Sequence, residues 1–167
     1  MFKKILLLAF LLVSLQARVV LDSDDKKVEV PDIIERATPL IGAFVQVSAM
    51  LGNEDHIISG APKLPALMSK IFPKIKSNDN KSGMLSSSVE TIIASKTQVV
   101  FGPVGMMFDE NSKAQLKSAG IAVVKIDKFQ SIKEIQDSFS KIAEIWGEKS
   151  VKRAREFNDY FNENIKF

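Results

Sequence analysis

Apolar residues along this chain fall into short continuous runs that alternate with stretches apolar at every third or fourth position. The continuous runs read as strands and the periodic stretches as helices. Val28-Glu29-Val30, ahead of Pro31, predicts a short edge strand, and Glu35 to Leu40 predicts a strand ending in a loop at Thr38-Pro39. Gly42 to Leu51 predicts a helix, closed by Gly52 where a helix C-terminal glycine belongs. His56-Ile57-Ile58-Ser59 predicts a buried strand ended by Gly60-Ala61-Pro62. Leu64 to Phe72 carries Leu64, Leu67, Met68 and Ile71 on one helical face, with Pro73 as the stop. Lys74 to Ser82 is polar and predicts a surface loop. Arg18 to Lys27 is short and polar, and predicts a loose lead-in.

The second half repeats the alternation. Ser87-Ser88-Val89-Glu90 has the form of a capping box and predicts a helix to Ser95. Thr97 to Phe101 predicts a strand closed by Gly102-Pro103, Asn111 to Ala119 a helix stopped by Gly120, and Ile121 to Ile126 a further strand. Ser131 to Glu134 forms a second capping box. Behind it Ile132, Ile135, Phe139, Ile142 and Trp146 share a face up to Gly147. Val151, Ala154, Phe157, Phe161 and Ile165 then give a long amphipathic helix from Glu148 to Phe167. The fold class expected is α/β: a single lobe with a mainly parallel sheet flanked by helices. Ligands in such sheets sit beyond the C-terminal ends of the strands. Those ends are Thr38-Pro39-Leu40, Gly60-Ala61-Pro62, Gly102-Pro103-Val104-Gly105 and Asp127-Lys128-Phe129.

The first residues bear on compartment. Met1-Phe2-Lys3-Lys4, the apolar run Ile5 to Val13 and Ser14-Leu15-Gln16-Ala17 follow the order of a Sec signal peptide. The run is shorter than the roughly 20 residues a membrane-spanning helix needs. The expected cut follows Ala17; an uncleaved anchor or a buried first helix is the alternative. The chain has no cysteine, which excludes lipidation through an N-terminal cysteine, disulfides and thiolate sites. The expected location is therefore the periplasm, without a lipid tether. Of 167 residues, 1–17 form the signal, 18–147 the lobe and 148–167 a terminal helix. Without Lys3 and Lys4 the net charge falls from +3 to +1, so nothing resembles the positive surface that nucleic acid requires. With His56 the sole histidine, a histidine-rich metal site or a histidine-dependent catalytic set is not expected. No Gly-x-Ser-x-Gly elbow, phosphate loop or dinucleotide fingerprint is present, and the expectation is not an enzyme.

The order of these segments resembles the N-terminal lobe of periplasmic substrate-binding proteins that deliver iron–siderophore complexes, haem or cobalamin to ABC importers. Met50-Leu51-Gly52 through His56-Ile57-Ile58-Ser59 is similar to the family's helix ending in leucine-glycine and its next strand. Ser88-Val89-Glu90 through Val99-Val100 is similar to its Asn-Leu-Glu helix start and following strand, with Thr97 and Gln98 in place of proline and aspartate. Leu116-Lys117-Ser118-Ala119-Gly120-Ile121 matches its leucine-lysine-x-alanine-glycine-isoleucine passage. The helix from Glu148 resembles the spine that leads to a second lobe in the family.

The resemblance implies a binding component, or half of one, with no resident cofactor. The ligand would be an iron–siderophore, a nickel or cobalt complex, haem or cobalamin. The partner would be an ABC permease in the inner membrane. Glu90 would dock against permease arginines; its plain alternative is a helix cap. Pro39, Leu40, Ala61, Gly83, Met84, Gly105, Met106 and Lys128 are the candidate wall of the cleft, since glycines admit backbone approach and methionines give an adaptable apolar surface. Loop packing is the alternative for the methionines. A further alternative is a truncated, non-functional member, or a lobe that self-associates through Phe157 and Phe161 on the last helix.

Overall fold

The computed structural model describes residues 17–58, 66–75, 88–127 and 129–164. Its first elements are strands β1 (Ala17–Leu21) and β2 (Lys27–Pro31), paired antiparallel from Ala17 opposite Pro31 to Leu21 opposite Lys27. The stretch expected to be a loose lead-in is thus one arm of a hairpin. Its turn is built by Asp22, whose carboxylate accepts the backbone N–H groups of Asp24 and Lys26 at 2.8 and 2.9 Å. That aspartate turn pulls the polar run into order. Arg18 stands on the inward side of β1 with Val20, a charged residue where a strand would ordinarily bury an apolar one. The Arg18 guanidinium donates to the carbonyls of Glu144 and Ile145, and so closes a helix end elsewhere in the fold.

A parallel three-stranded sheet follows, in the order β3 (Ala37–Pro39), β4 (Val99–Gly102), β5 (Ala122–Lys125). Val99 stands opposite both Ala37 and Ala122. Of the strand expected at His56–Ser59, the described residues, which stop at Ile58, form one rung. Glu54–His56 is a 3-10 turn, and Ile57 bridges Ala37 in parallel. Ile58 N–H donates to the Ala37 carbonyl at 2.9 Å. The next rung would need an N–H from residue 39, which is proline and has none.

The helices are α1 (Gly42–Met50), α2 (Ala66–Ile71), α3 (Val89–Ala94), α4 (Val104–Met107), α5 (Glu110–Ser118), α6 (Ile132–Trp146) and α7 (Glu148–Asn164). They cover both faces of the sheet. Ala37, Val99, Phe101 and Val124 meet Phe44 of α1, Phe139, Ile142 and Trp146 of α6, and Ala154 of α7. Val100 and Val123 turn the other way, onto Val89 and Ile92 of α3, Val104 of α4 and Leu116 of α5. This two-sided burial is why the strands read as unbroken branched runs. Hydroxyl groups in the interior are paired. Trp146 Nε1–H donates to Ser48 Oγ at 3.0 Å, and Thr38 and Thr97 share a hydrogen bond of 2.9 Å.

The apolar face of α7 is not left open. Phe157 stacks on Phe139 of α6 with ring centroids 4.4 Å apart, and Phe161 leans on Phe157. Among the described residues, Phe157 of this face thus rests on the preceding helix, and Phe161 rests on Phe157. Asn53 Nδ2 donates to the buried Ser150 Oγ at 2.9 Å and holds the start of α7. Among the described residues, no helix is long and apolar enough to cross a membrane.

Candidate functional site

The parallel sheet delivers the C-terminal ends of β3, β4 and β5 to one rim. Leu40 follows β3, Pro103 to Met106 follow β4, and Asp127 and Phe129 follow β5. The backbone there is held by Leu40 N–H donating to the Phe101 carbonyl at 2.9 Å and Ile126 N–H to the Gly102 carbonyl at 2.8 Å. Gly102 has φ +147°, and a Cβ on it would stand 2.7 Å from the Leu40 Cβ. Glycine is therefore what lets β3 and β4 close up at the rim.

The candidate wall residues separate into different settings. Gly105 and Met106 are on the rim surface: nothing lies within 4 Å of a Cβ built on Gly105, and Met106 is 86% exposed. Pro39 and Leu40 lie beneath it; both are buried, and the Leu40 side chain, 1% exposed, sits in the core with Val100 and Val104. Ala61, Gly83, Met84 and Lys128 lie outside the described residues.

The structure adds residues to this rim. Between α1 and α6 runs an apolar groove of about 260 Å³ whose lining includes Ile41 and Phe129. Phe129 meets Phe44 edge to face at 6.0 Å. Its sequence signal was Phe129 itself, an aromatic residue in a strand-end loop. Ile135 was legible only as one position of the periodic face of α6, with nothing to mark it as a site residue.

On the other side, beside the hairpin turn, a hollow of about 320 Å³ is lined by charge. Lys125 Nζ lies 2.9 Å from both Asp24 and Asp127, and Lys113 lies 2.7 Å from Glu110. The two carboxylates hold the Lys125 ammonium well above the ordinary lysine range, and Lys125 in turn holds the Asp24 carboxyl below its usual value. The acidic pair Asp24-Asp25 is thus engaged, with Asp25 Oδ1 3.9 Å from Lys141 Nζ.

Glu90 is exposed in the first turn of α3. The helix cap is Ser88, one residue later than the expected Ser87, and the Thr91 N–H donates to Ser88 Oγ at 3.3 Å. Glu90 therefore does not hold the third helical position that a capping box needs. The Ser88 hydroxyl and its own backbone amide lower the Glu90 carboxyl, which favours its anionic form. Glu90 and Met107 line one shallow hollow, so the anion stands beside the rim. His56 Nδ1 lies 3.3 Å from the Glu35 carbonyl, and its ring lies 6.4 Å from that of Trp146. Asp109 caps α5, accepting the Ser112 N–H at 2.8 Å.

Comparisons with known proteins place the fold. No protein-family model matches the sequence, and no curated protein matches it. Solved structures do match. The iron-uptake ABC transporter substrate-binding protein PiuA of Streptococcus pneumoniae superposes with TM-score 0.67 at 17% identity, over 90% of this chain and 51% of its own. The molybdate periplasmic binding protein MolA of Haemophilus influenzae gives 0.66 at 19%, over 87% and 51%. The heme-binding protein HmuT gives 0.63 at 22%, over 89% and 47%. The chain has the fold of one lobe of the periplasmic solute-binding proteins, and spans about half the length of these structures. The resemblance read from Met50–Ser59, Ser88–Val100 and Leu116–Val124 holds at the level of fold.

Proposed function

We propose that this chain is the substrate-binding component, or half of one, of a periplasmic ABC importer, and that its cargo is an iron–siderophore or a related metal complex. The observation that carries the reading is the rim. A fold shared with solute-binding proteins presents Gly105, Met106 and Phe129 on the side where open α/β sheets take their ligands. The run Met1 to Ala17 would direct export, and residues 148–167 would serve as the spine. The chain acts by capture, not turnover.

Titration calorimetry with a panel of ferric siderophores, haemin and cobalamin tests the cargo. Saturable binding of one class, weakened by Met106→Lys, supports the reading. Binding of none would reject it.

Glu90 supplies the docking anion in this reading, because a charge on a helix start beside the rim would orient the lobe against a basic permease surface. In proteoliposomes holding the cognate permease, Glu90→Lys is expected to abolish stimulation of ATP hydrolysis while chelate binding is unchanged. Unchanged stimulation would leave Glu90 as a surface residue of α3 only.

A further inference from the structure

We infer that the groove between α1 and α6 is a subsite for an aromatic or short alkyl group, so that the cargo carries such a group and is not a bare oxyanion. The inference rests on the proposed binding role and adds the chemistry of the substrate. Apart from Ser138, every residue lining the groove is apolar. It is lined by Ile41 just before α1, Phe44 and Val47 of α1, Ile135 and Phe139 of α6, and Phe129 from the loop after β5. Phe129 and Ile135 are 40% and 51% exposed, an arrangement that leaves apolar surface in water at the edge of the rim.

Size and shape select the occupant. The volume is about 260 Å³. A dry cavity of about 150 Å³ with similar walls accepts benzene. The space therefore suits one or two rings, or a short alkyl arm, rather than a whole chelate. The edge-to-face contact of Phe44 and Phe129 already sets one aromatic wall against which a ring can lie. The opposite end of the rim is charged, with Lys125, Asp24 and Glu110 around its hollow. A bare oxyanion would gain nothing from the groove, whereas a chelate with an aromatic arm removes apolar surface on both partners from water.

The probe for the groove is 8-anilinonaphthalene-1-sulfonate, titrated into the purified chain, into Ala43→Phe, which fills the groove from an exposed position, and into Phe129→Ala, which removes its cover. Circular dichroism confirms that each variant is folded. The expected result is one bound probe per chain and about tenfold weaker binding in both variants. Binding unaffected by either substitution, or no binding, overturns the subsite.

Ferric tris(catecholate) and molybdate form the second arm. Catecholate binding that weakens about tenfold in Ala43→Phe supports the inference. Catecholate binding that ignores the substitution overturns it and leaves the proposed function standing. Groove-dependent probe binding with no chelate bound keeps the subsite and rejects the metal-complex reading. A dimer whose dissociation shifts in Ala43→Phe would assign the groove to a second copy of the chain and overturn the ligand subsite.

Discussion

Gly102 shows how much of the rim depends on single positions. It combines φ +147° with a Leu40 Cβ only 2.7 Å from where its own Cβ would stand. Alanine at this site must strain the backbone and also push β3 from β4. Each effect costs about 1–3 kcal/mol. Gly102→Ala is therefore expected to lower stability by at least about 2 kcal/mol in chemical denaturation; an unchanged midpoint would show that the strands do not need that approach. Asp24 acts through charge instead. Lys125 holds its carboxyl below the usual range, so its contribution to stability is complete above the unfolded carboxyl value, about 3.9. The contribution is lost as pH falls through the lower folded value. Melting temperatures should show wild type above Asp24→Asn at about pH 6 and the gap closed at about pH 2.

At the scale of elements, what the sequence disclosed depended on how local the cause was. The Ser131–Glu134 capping box is complete, since both partners lie within one turn. α1, α6 and α7 begin or end at the glycines that marked them, Gly42, Gly52 and Gly147. The strand at Val28–Val30 was legible as β2, but its partner β1 was not, because the inward arginine of β1 serves carbonyls of Glu144 and Ile145, more than a hundred residues away. The rung at Ile57 could not be told from a strand, because the missing partner N–H belongs to Pro39 on a different element. The pairing of α7 with α6 was likewise hidden, since the periodic face of α7 does not say what covers it. Phe157→Ala tests that pairing. It removes a half-buried ring stacked on Phe139 and should cost about 2–3 kcal/mol in urea denaturation. A cost below about 0.5 kcal/mol, the scale of ordinary surface substitutions, would mean that α7 does not rest on α6 in solution.

For the whole molecule, the alternation of runs and periodic stretches was enough to place the strand ends on one side. It was not enough to separate the buried Leu40 from the exposed Met106, because burial at a rim is decided by the neighbouring strand. Among the described residues, the rim that results is an open wall. Small-molecule sites commonly enclose about 70–90% of their ligand's surface. A chelate lying on this rim keeps its outer side in water, and the apolar groove contains only one arm of it. The 167-residue chain by itself should accordingly bind ferric tris(catecholate) with a Kd of about 10 µM or weaker. The binding should also weaken little with added salt, since the groove contributes apolar contact and Lys113 and Lys125 of the neighbouring hollow are already paired with Glu110 and with Asp24 and Asp127. Calorimetry at about 50 mM and about 500 mM salt separates the cases. Nanomolar binding would show that one wall suffices, and a steep salt dependence would move the contact from the groove to the charged hollow.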